Sequence, residues 1–228
     1  MRNLLTPLAA LPALLASPAA MAGWDIQLQH ESNWNEHGQH SGAIEPRILY
    51  KGQDWKIQLE IEKQVQPVSR KAALEFEGQY NWKIGQNGSL GLNTEVVYDQ
   101  ESKNWAGELT PELYWNLGDG FEIGFELEID YLSADRWDLH EIEIEPTVSW
   151  EGPLGPGYLY LELEAPVMRL YSADDSRKDV EFETVEPIVG YGIQLTPATD
   201  LYMELASPYD VQDRSWSTCF DIGVTHRF

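Results

Sequence analysis

Phe121-Glu122-Ile123-Gly124-Phe125-Glu126-Leu127-Glu128-Ile129-Asp130 decides the fold. Every odd position is apolar, and every even position except Gly124 is an acid. A strand sends successive side chains to opposite faces, so this segment has one apolar face and one acidic face. A helix would scatter both sets around its axis. The pattern continues in Trp55-Lys56-Ile57-Gln58-Leu59-Glu60-Ile61-Glu62, in Ile142-Glu143-Ile144-Glu145 and in Leu159-Tyr160-Leu161-Glu162-Leu163-Glu164. Helical periodicity is nearly absent from the chain.

The alternation divides into twelve strands, at about 24–33, 42–50, 54–64, 73–83, 88–99, 105–117, 120–132, 140–151, 157–166, 180–195, 199–206 and 216–228. Their connections alternate in kind. Gly52-Gln53, Gly85 to Gly88, Gly118-Asp119-Gly120, Gly152 to Gly157 and Thr196 to Asp200 are short turns. Longer polar loops fall near 34–41, 65–72, 100–104, 133–139, 167–179 and 207–215. Tight turns at one end, long loops at the other and an even strand count predict an all-β, transmembrane, antiparallel up-and-down barrel. The strand lengths suit a tilted crossing of a bilayer, which needs about 9–11 residues.

An internal repeat supports the barrel. Pro46 to Tyr50, Pro111 to Trp115, Pro146 to Trp150 and Pro187 to Tyr191 each run proline, any residue, aliphatic, any residue, aromatic. All four lie on even-numbered strands. Tyr80 and Trp82 end the fourth strand, and Phe228 ends the twelfth. These aromatics predict a girdle at the lower rim, with Tyr98, Trp105, Tyr131, Trp137 and Trp216 at the upper one. Proline normally avoids the middle of a sheet, and four in register suggest a shared bend or bulge. The rival architecture is a secreted β-sandwich, which would bury its apolar face and has no need of a girdle.

With the apolar face turned to lipid, the other face is strongly acidic. The expected pore-lining residues are Glu45, Arg47, Glu60, Glu62, Glu75, Glu77, Glu112, Glu126, Glu128, Glu143, Glu145, Glu162 and Glu186. Inward bases are few: Arg47, Lys56, Lys83 and Arg227. Carboxylates crowded in a pore must bind cations, pair with those bases or hold protons. Such a lumen attracts cations and repels anions. Glu45, Thr110, Glu145 and Glu186 each precede a repeat proline and are expected to form a ring at similar depth, a constriction.

Composition closes off other classes. The formal net charge is −23 at pH 7, which argues against nucleic acid as a partner. Cys219 is the single cysteine, so no intrachain disulfide forms. No cofactor or metal is expected. Residues 1–22, with Arg2, the apolar run from Leu4 to Ala16 and Ala20-Met21-Ala22, read as a secretory signal peptide removed before Gly23. Residues 23–228 then form the barrel, a monomer in the outer membrane of a Gram-negative cell.

An enzyme reading needs a site. A phospholipase-type barrel requires a Ser/His pair with an orienting polar group. By parity His30 and His226 fall on the lipid face, whereas His37, His40 and His140 lie in or near outer loops. His40 and Ser41 are neighbours and so point apart. Glu36 with His37 and His40 offers a weak metal pattern, and Asp135, Asp174 and Asp175 are loop acids. The chain is therefore expected not to be an enzyme. A non-conducting barrel with an adhesive or structural role and an outer-membrane hydrolase remain the alternatives.

Twelve strands behind a cleaved leader, even-numbered strands carrying proline and an aromatic, and the closing Phe228 resemble the small monomeric porins of the oligogalacturonate-specific (KdgM-type) family. The resemblance covers residues 23–228 and rests on architecture. It implies an outer-membrane channel for passive uptake of small solutes such as oligosaccharides. It also implies that Phe228 is read by the barrel assembly machinery. The family's pores resemble basic tracks suited to acidic sugars. This chain puts only Arg47, Lys56 and Lys83 in its strands, so the resemblance extends to fold and channel role and not to acidic sugars.

Overall fold

The computed structural model describes residues 23–35, 38–52, 54–66, 72–133, 137–173 and 180–228. Residues 1–22, expected to be a leader, lie outside them. So do Glu36, His37 and Gln53, Asp135, Asp174 and Asp175, and parts of the long loops. All regular structure among the described residues is β-strand. No described helix is long and apolar enough to cross a membrane, which says nothing about crossing by strands.

The strands are β1 (Trp24–Asn35), β2 (His40–Lys51), β3 (Trp55–Gln66), β4 (Ala72–Ile84), β5 (Gly88–Asp99), β6 (Trp105–Gly118), β7 (Phe121–Ser133), β8 (Trp137–Leu154) and β9 (Gly157–Glu164). They continue as β10 (Met168–Ser172), β11 (Glu181–Phe182), β12 (Thr184–Thr196), β13 (Thr199–Ala206), β14 (Tyr209–Asp210) and β15 (Ser215–Arg227). β1 to β9, β12, β13 and β15 pair in sequence, each antiparallel to its neighbour. β15 then returns to β1 from Asp25↔Arg227 to Asn35↔Ser217. The result is a closed twelve-strand barrel, and closure removes the sheet edges that an open sheet would expose.

Three short strands lie outside this closed path. β10 takes the edge of β8 at Glu141–Ile144, beyond the point where β9 leaves it, and β11 pairs with β10. β14 joins β12 to β15. The ninth strand therefore stops at Glu164 rather than running on to Pro166, because proline cannot donate to a ladder. The chain resumes pairing at Met168, inside the segment expected to be loop.

The barrel is inside-out relative to a soluble protein. Its buried apolar residues among those described are Ala43, Leu49, Val167 and Ala206 only. Its buried polar residues include Gln29, Gln58, Glu45, Glu60, Glu77 and Glu112. Large apolar side chains cover the outside, with Phe76 51 % and Phe125 52 % exposed. A sandwich would hide such residues between its sheets, so the sandwich is excluded. Two aromatic bands border this apolar surface. Trp24–Tyr50, Tyr50–Trp55 and Tyr80–Trp82 pack within 5.0 Å at the short-turn rim. Trp34–His40, Tyr98–Trp105 and Tyr209–Trp216 pack within 4.9 Å at the other.

The repeat prolines mark gaps in the ladder rather than a shared bulge. Pro46 pairs with Leu28 on β1, but pairing to β3 jumps from Ile44↔Lys63 to Arg47↔Glu60 with no change of register there. Pro111 pairs with Leu92 on β5, and pairing to β7 jumps from Leu109↔Ile129 to Glu112↔Glu126. Pro146 faces the break between β9 and β10, and Pro187 faces the break between β13 and β14. Each proline nitrogen, lacking a hydrogen, is turned toward a place where pairing is interrupted.

Candidate functional site

All thirteen residues expected to line the lumen lie on barrel strands, on the face opposite the exposed apolar side chains. Strand register then decides which of them meet. Glu77, Glu95, Glu108, Asp130 and Glu141 stand directly opposite one another in turn, an unbroken acidic row across β4 to β8. Glu112, Glu126 and Glu145 form a second row across β6 to β8. Glu128 faces Glu143, Glu164 faces Glu186, and Asp221 stands between Glu31 and Glu204. Like charges directly opposite on a sheet are destabilising, so these rows cost folding energy.

The described bases offset only one sector at mid-barrel. Arg47 on β2 bonds Glu45 at 2.7 Å and also pairs with Glu60 on β3. Gln58 donates to the same Glu60 at 3.1 Å. Lys56 on β3 pairs with Glu77 on β4 at 2.6 Å, and Gln79 donates to Glu112 at 3.1 Å. These carboxylates are well covered: Glu45 is 4 % and Glu60 3 % exposed. The remaining ion pairs sit elsewhere. Lys51–Asp25 and Arg227–Asp200 belong to the short-turn rim, and Arg169 on β10 joins Glu141 to Glu183.

On the other side, from β6 through β9 to β13, Glu126, Glu128, Glu145, Glu162, Glu164, Glu186 and Glu204 make no ion pair with a described base. Two of them take tyrosine hydroxyls instead, Tyr114 donating to Glu126 and Tyr160 to Glu162. Tyr114 lies against Gly124 of β7, and Tyr202 lies against Gly223 of β15. A Cβ at either glycine would collide with the ring, so glycine lets these tyrosines lie flat on the wall. Sequence reasoning named the carboxylates but passed over these tyrosines. Their alternation with the inward acids was the available signal.

The expected ring is brought together in part. The charges of Glu145 and Glu186 lie close enough to interact, whereas Glu45 belongs to the Arg47 cluster and Thr110 bonds Glu108. Three groups could hold a cation, with ligand atoms within 4.8 Å of one another: Glu108, Glu128 and Asp130; Glu128, Glu143 and Glu145; and Glu31, Cys219 and Asp221. Carboxylate sets of this kind suit hard divalent ions.

No protein-family model matches the sequence, and no curated protein matches it either. Solved structures do. The KdgM porin superposes with a TM-score of 0.61 at 12 % identity, over 90 % of this chain and 99 % of that one. The NanC porin gives a TM-score of 0.63 at 12 % identity, over 88 % and 100 %. An outer-membrane channel from Pseudomonas putida F1 gives 0.62 at 10 % identity, over 91 % and 96 %. The chain has the fold of the KdgM-type porins. At this identity the likeness is one of fold, and the lumen has to be read from this chain's own residues. The KdgM porin has also been solved in complex with disordered oligogalacturonate.

Proposed function

We propose that the protein is an outer-membrane channel for passive diffusion of small solutes that favours cations. The carrying observation is the acidic row from Glu77 to Glu141 on the inner face, in which Lys56 and Arg169 pair the two end members and Glu95, Glu108 and Asp130 between them pair with no described base. A confined wall of one sign concentrates counter-ions and excludes ions of the same sign. An oligogalacturonate is a polyanion, so this interior is a poor match for it. Cationic and neutral solutes, neutral oligosaccharides among them, are the better match. In this reading residues 1–22 are a cleaved leader and residues 23–228 form a monomeric barrel in outer-membrane lipid. Phe228 is the mark read by the assembly machinery. No catalytic role is assigned to the lumen.

Planar-bilayer recording of the refolded protein in a potassium chloride gradient tests this. The expected reversal potential has the sign of potassium permeation. Chloride selectivity, or no conductance at all, overturns the reading.

A second reading has its own support. The burial of Glu45, Glu60, Glu77 and Glu112 means that side chains fill the interior near β2 to β6. Side chains fill barrels of about 8 strands and leave a channel in those of about 16, and twelve strands lie between the two. The protein would then be a non-conducting barrel with an adhesive or structural role. A refolded barrel that never conducts, together with loss of surface binding on deletion of the outer loops, would establish it.

A further inference from the structure

The outer wall carries a Ser/His pair that the channel does not use. Ser32 and His30 stand two apart on β1 and so share a face. That face is the outward one: His30 is exposed between Leu28 and Trp34, which are 55 % and 38 % exposed, and Ser32 sits low between His30 and Trp34 at 6 %. Ser32 Oγ lies 3.1 Å from His30 Nε2. His30 Nδ1 lies 2.8 Å from the carbonyl oxygen of Ala43 on β2.

The second contact fixes the chemistry of the first. A carbonyl oxygen only accepts, so Nδ1 carries the proton and donates it. Nε2 is then the bare nitrogen, and the Ser32 hydroxyl donates to it. This is the arrangement by which a histidine acts as general base toward a serine nucleophile, with the backbone carbonyl as the orienting group. Ala43 lies at the register shift between β2 and β3, a break in the regular ladder of the kind that often accompanies functional sites. Gly42 stands opposite Ser32. A Cβ there would lie 3.1 Å from the Glu31 carbonyl oxygen, 3.5 Å from His30 Cε1 and 3.8 Å from Ser32 Oγ, so any larger residue would crowd a hydroxyl that is already little exposed. His226 gives a contrast. It bonds Thr199 Oγ1 at 3.0 Å through Nδ1, and a hydroxyl both donates and accepts, so this contact does not fix the tautomer as the Ala43 carbonyl does for His30.

The position on the wall suggests the substrate. Trp34, stacked on His40 at the long-loop rim, is two residues beyond Ser32. Two strand residues span about 6–7 Å, and aromatic bands sit at the boundary between headgroups and hydrocarbon. Ser32 is therefore level with the region where lipid acyl esters lie.

We propose that His30 and Ser32 form a lipid-facing acyl-ester hydrolase site, an activity separate from the lumen. Ser32 Oγ attacks the ester carbonyl carbon and its proton passes to His30 Nε2. The ester C–O bond then breaks, the leaving alkoxide takes that proton, and an acyl-serine remains. Water from the headgroup layer attacks the acyl-serine, giving its proton to Nε2. The C–Oγ bond breaks, Ser32 recovers the proton, and a fatty acid leaves.

The test uses protein purified from membranes in nonionic detergent. It reads fatty-acid release from phosphatidylcholine in mixed micelles and mass-spectrometric labelling of Ser32 by a fluorophosphonate. The wild type is expected to show both. Ser32→Ala should abolish both, and His30→Ala should lower release by about a hundredfold or more. Gly42→Val should lower release while the chain stays folded by circular dichroism. Absence of release and label in the folded wild type overturns the proposal. So does release that persists in Ser32→Ala.

Discussion

Arg47 shows how much rests on single side chains inside this barrel. Its guanidinium is shared between Glu45 and Glu60, both nearly inaccessible to solvent. Removing one partner from a buried ionic cluster leaves uncompensated charge and typically costs about 3–5 kcal/mol. Arg47→Gln should therefore lower the urea midpoint of the refolded barrel. Adding Glu60→Gln to it should recover part of the loss, because one orphaned charge is then gone. Equal stability of Arg47→Gln and wild type would show that the cluster is not what holds β2 to β3. Parity in the sequence already put Arg47, Glu45 and Glu60 on one face. It could not pair them, because the register of β2 against β3 depends on a turn and on the shift at Gly42. The same limit hid the His30–Ser32 site. The spacing of His30 and Ser32 was legible, but the orienting carbonyl belongs to Ala43 on the next strand.

At the scale of the strand, the sequence was a good guide where one strand suffices and a poor one where two are needed. Alternation located all twelve barrel strands, since the period of two is a property of each segment alone. The pentad repeat was equally visible. Its meaning was not, because a gap in a ladder exists only between neighbours. Pro111 illustrates the energetics. Replacing it by alanine restores a backbone N–H facing the skipped stretch of β7. The greater freedom of alanine in the unfolded chain costs roughly 0.4–1 kcal/mol. A recovered backbone hydrogen bond in surroundings without water is worth several kcal/mol on the usual reckoning. The second effect is the larger, so Pro111→Ala should raise the unfolding midpoint. The β7 amides opposite should also exchange more slowly with deuterium. A lower midpoint with unchanged exchange would mean that the proline shapes the wall by its fixed backbone angle. The packed tyrosines set a complementary limit. Gly124→Val forces Tyr114 off the wall and should cost about 1–3 kcal/mol.

For the molecule as a whole, the inside-out distribution of residues and the uneven placement of bases lead to one quantitative expectation about selectivity. Twenty-three net negative charges by themselves say only that the chain is acidic. What matters for permeation is which carboxylates remain uncompensated. Glu60 shares Arg47 with Glu45, and Glu77 is paired with Lys56, so an ion passing that sector meets partly compensated charge. Glu126, Glu145 and Glu162 have no described base at hand, so no ion pair offsets their charge toward an ion passing β6 to β9. Neutralising Glu126, Glu145 and Glu162 together as glutamines should move the reversal potential strongly toward zero. Neutralising Glu60 and Glu77 should move it little, or toward anions only by the amount that the released Arg47 and Lys56 contribute. Both effects should shrink as salt rises from about 0.1 M, where the screening length is about 10 Å, to 1 M, where it is about 3 Å. Uncompensated charges that act across open water lose their reach over that range, whereas charges locked in contact pairs have little left to lose. Equal shifts from the two sets of substitutions would mean that total charge, and not its placement on the wall, governs what passes.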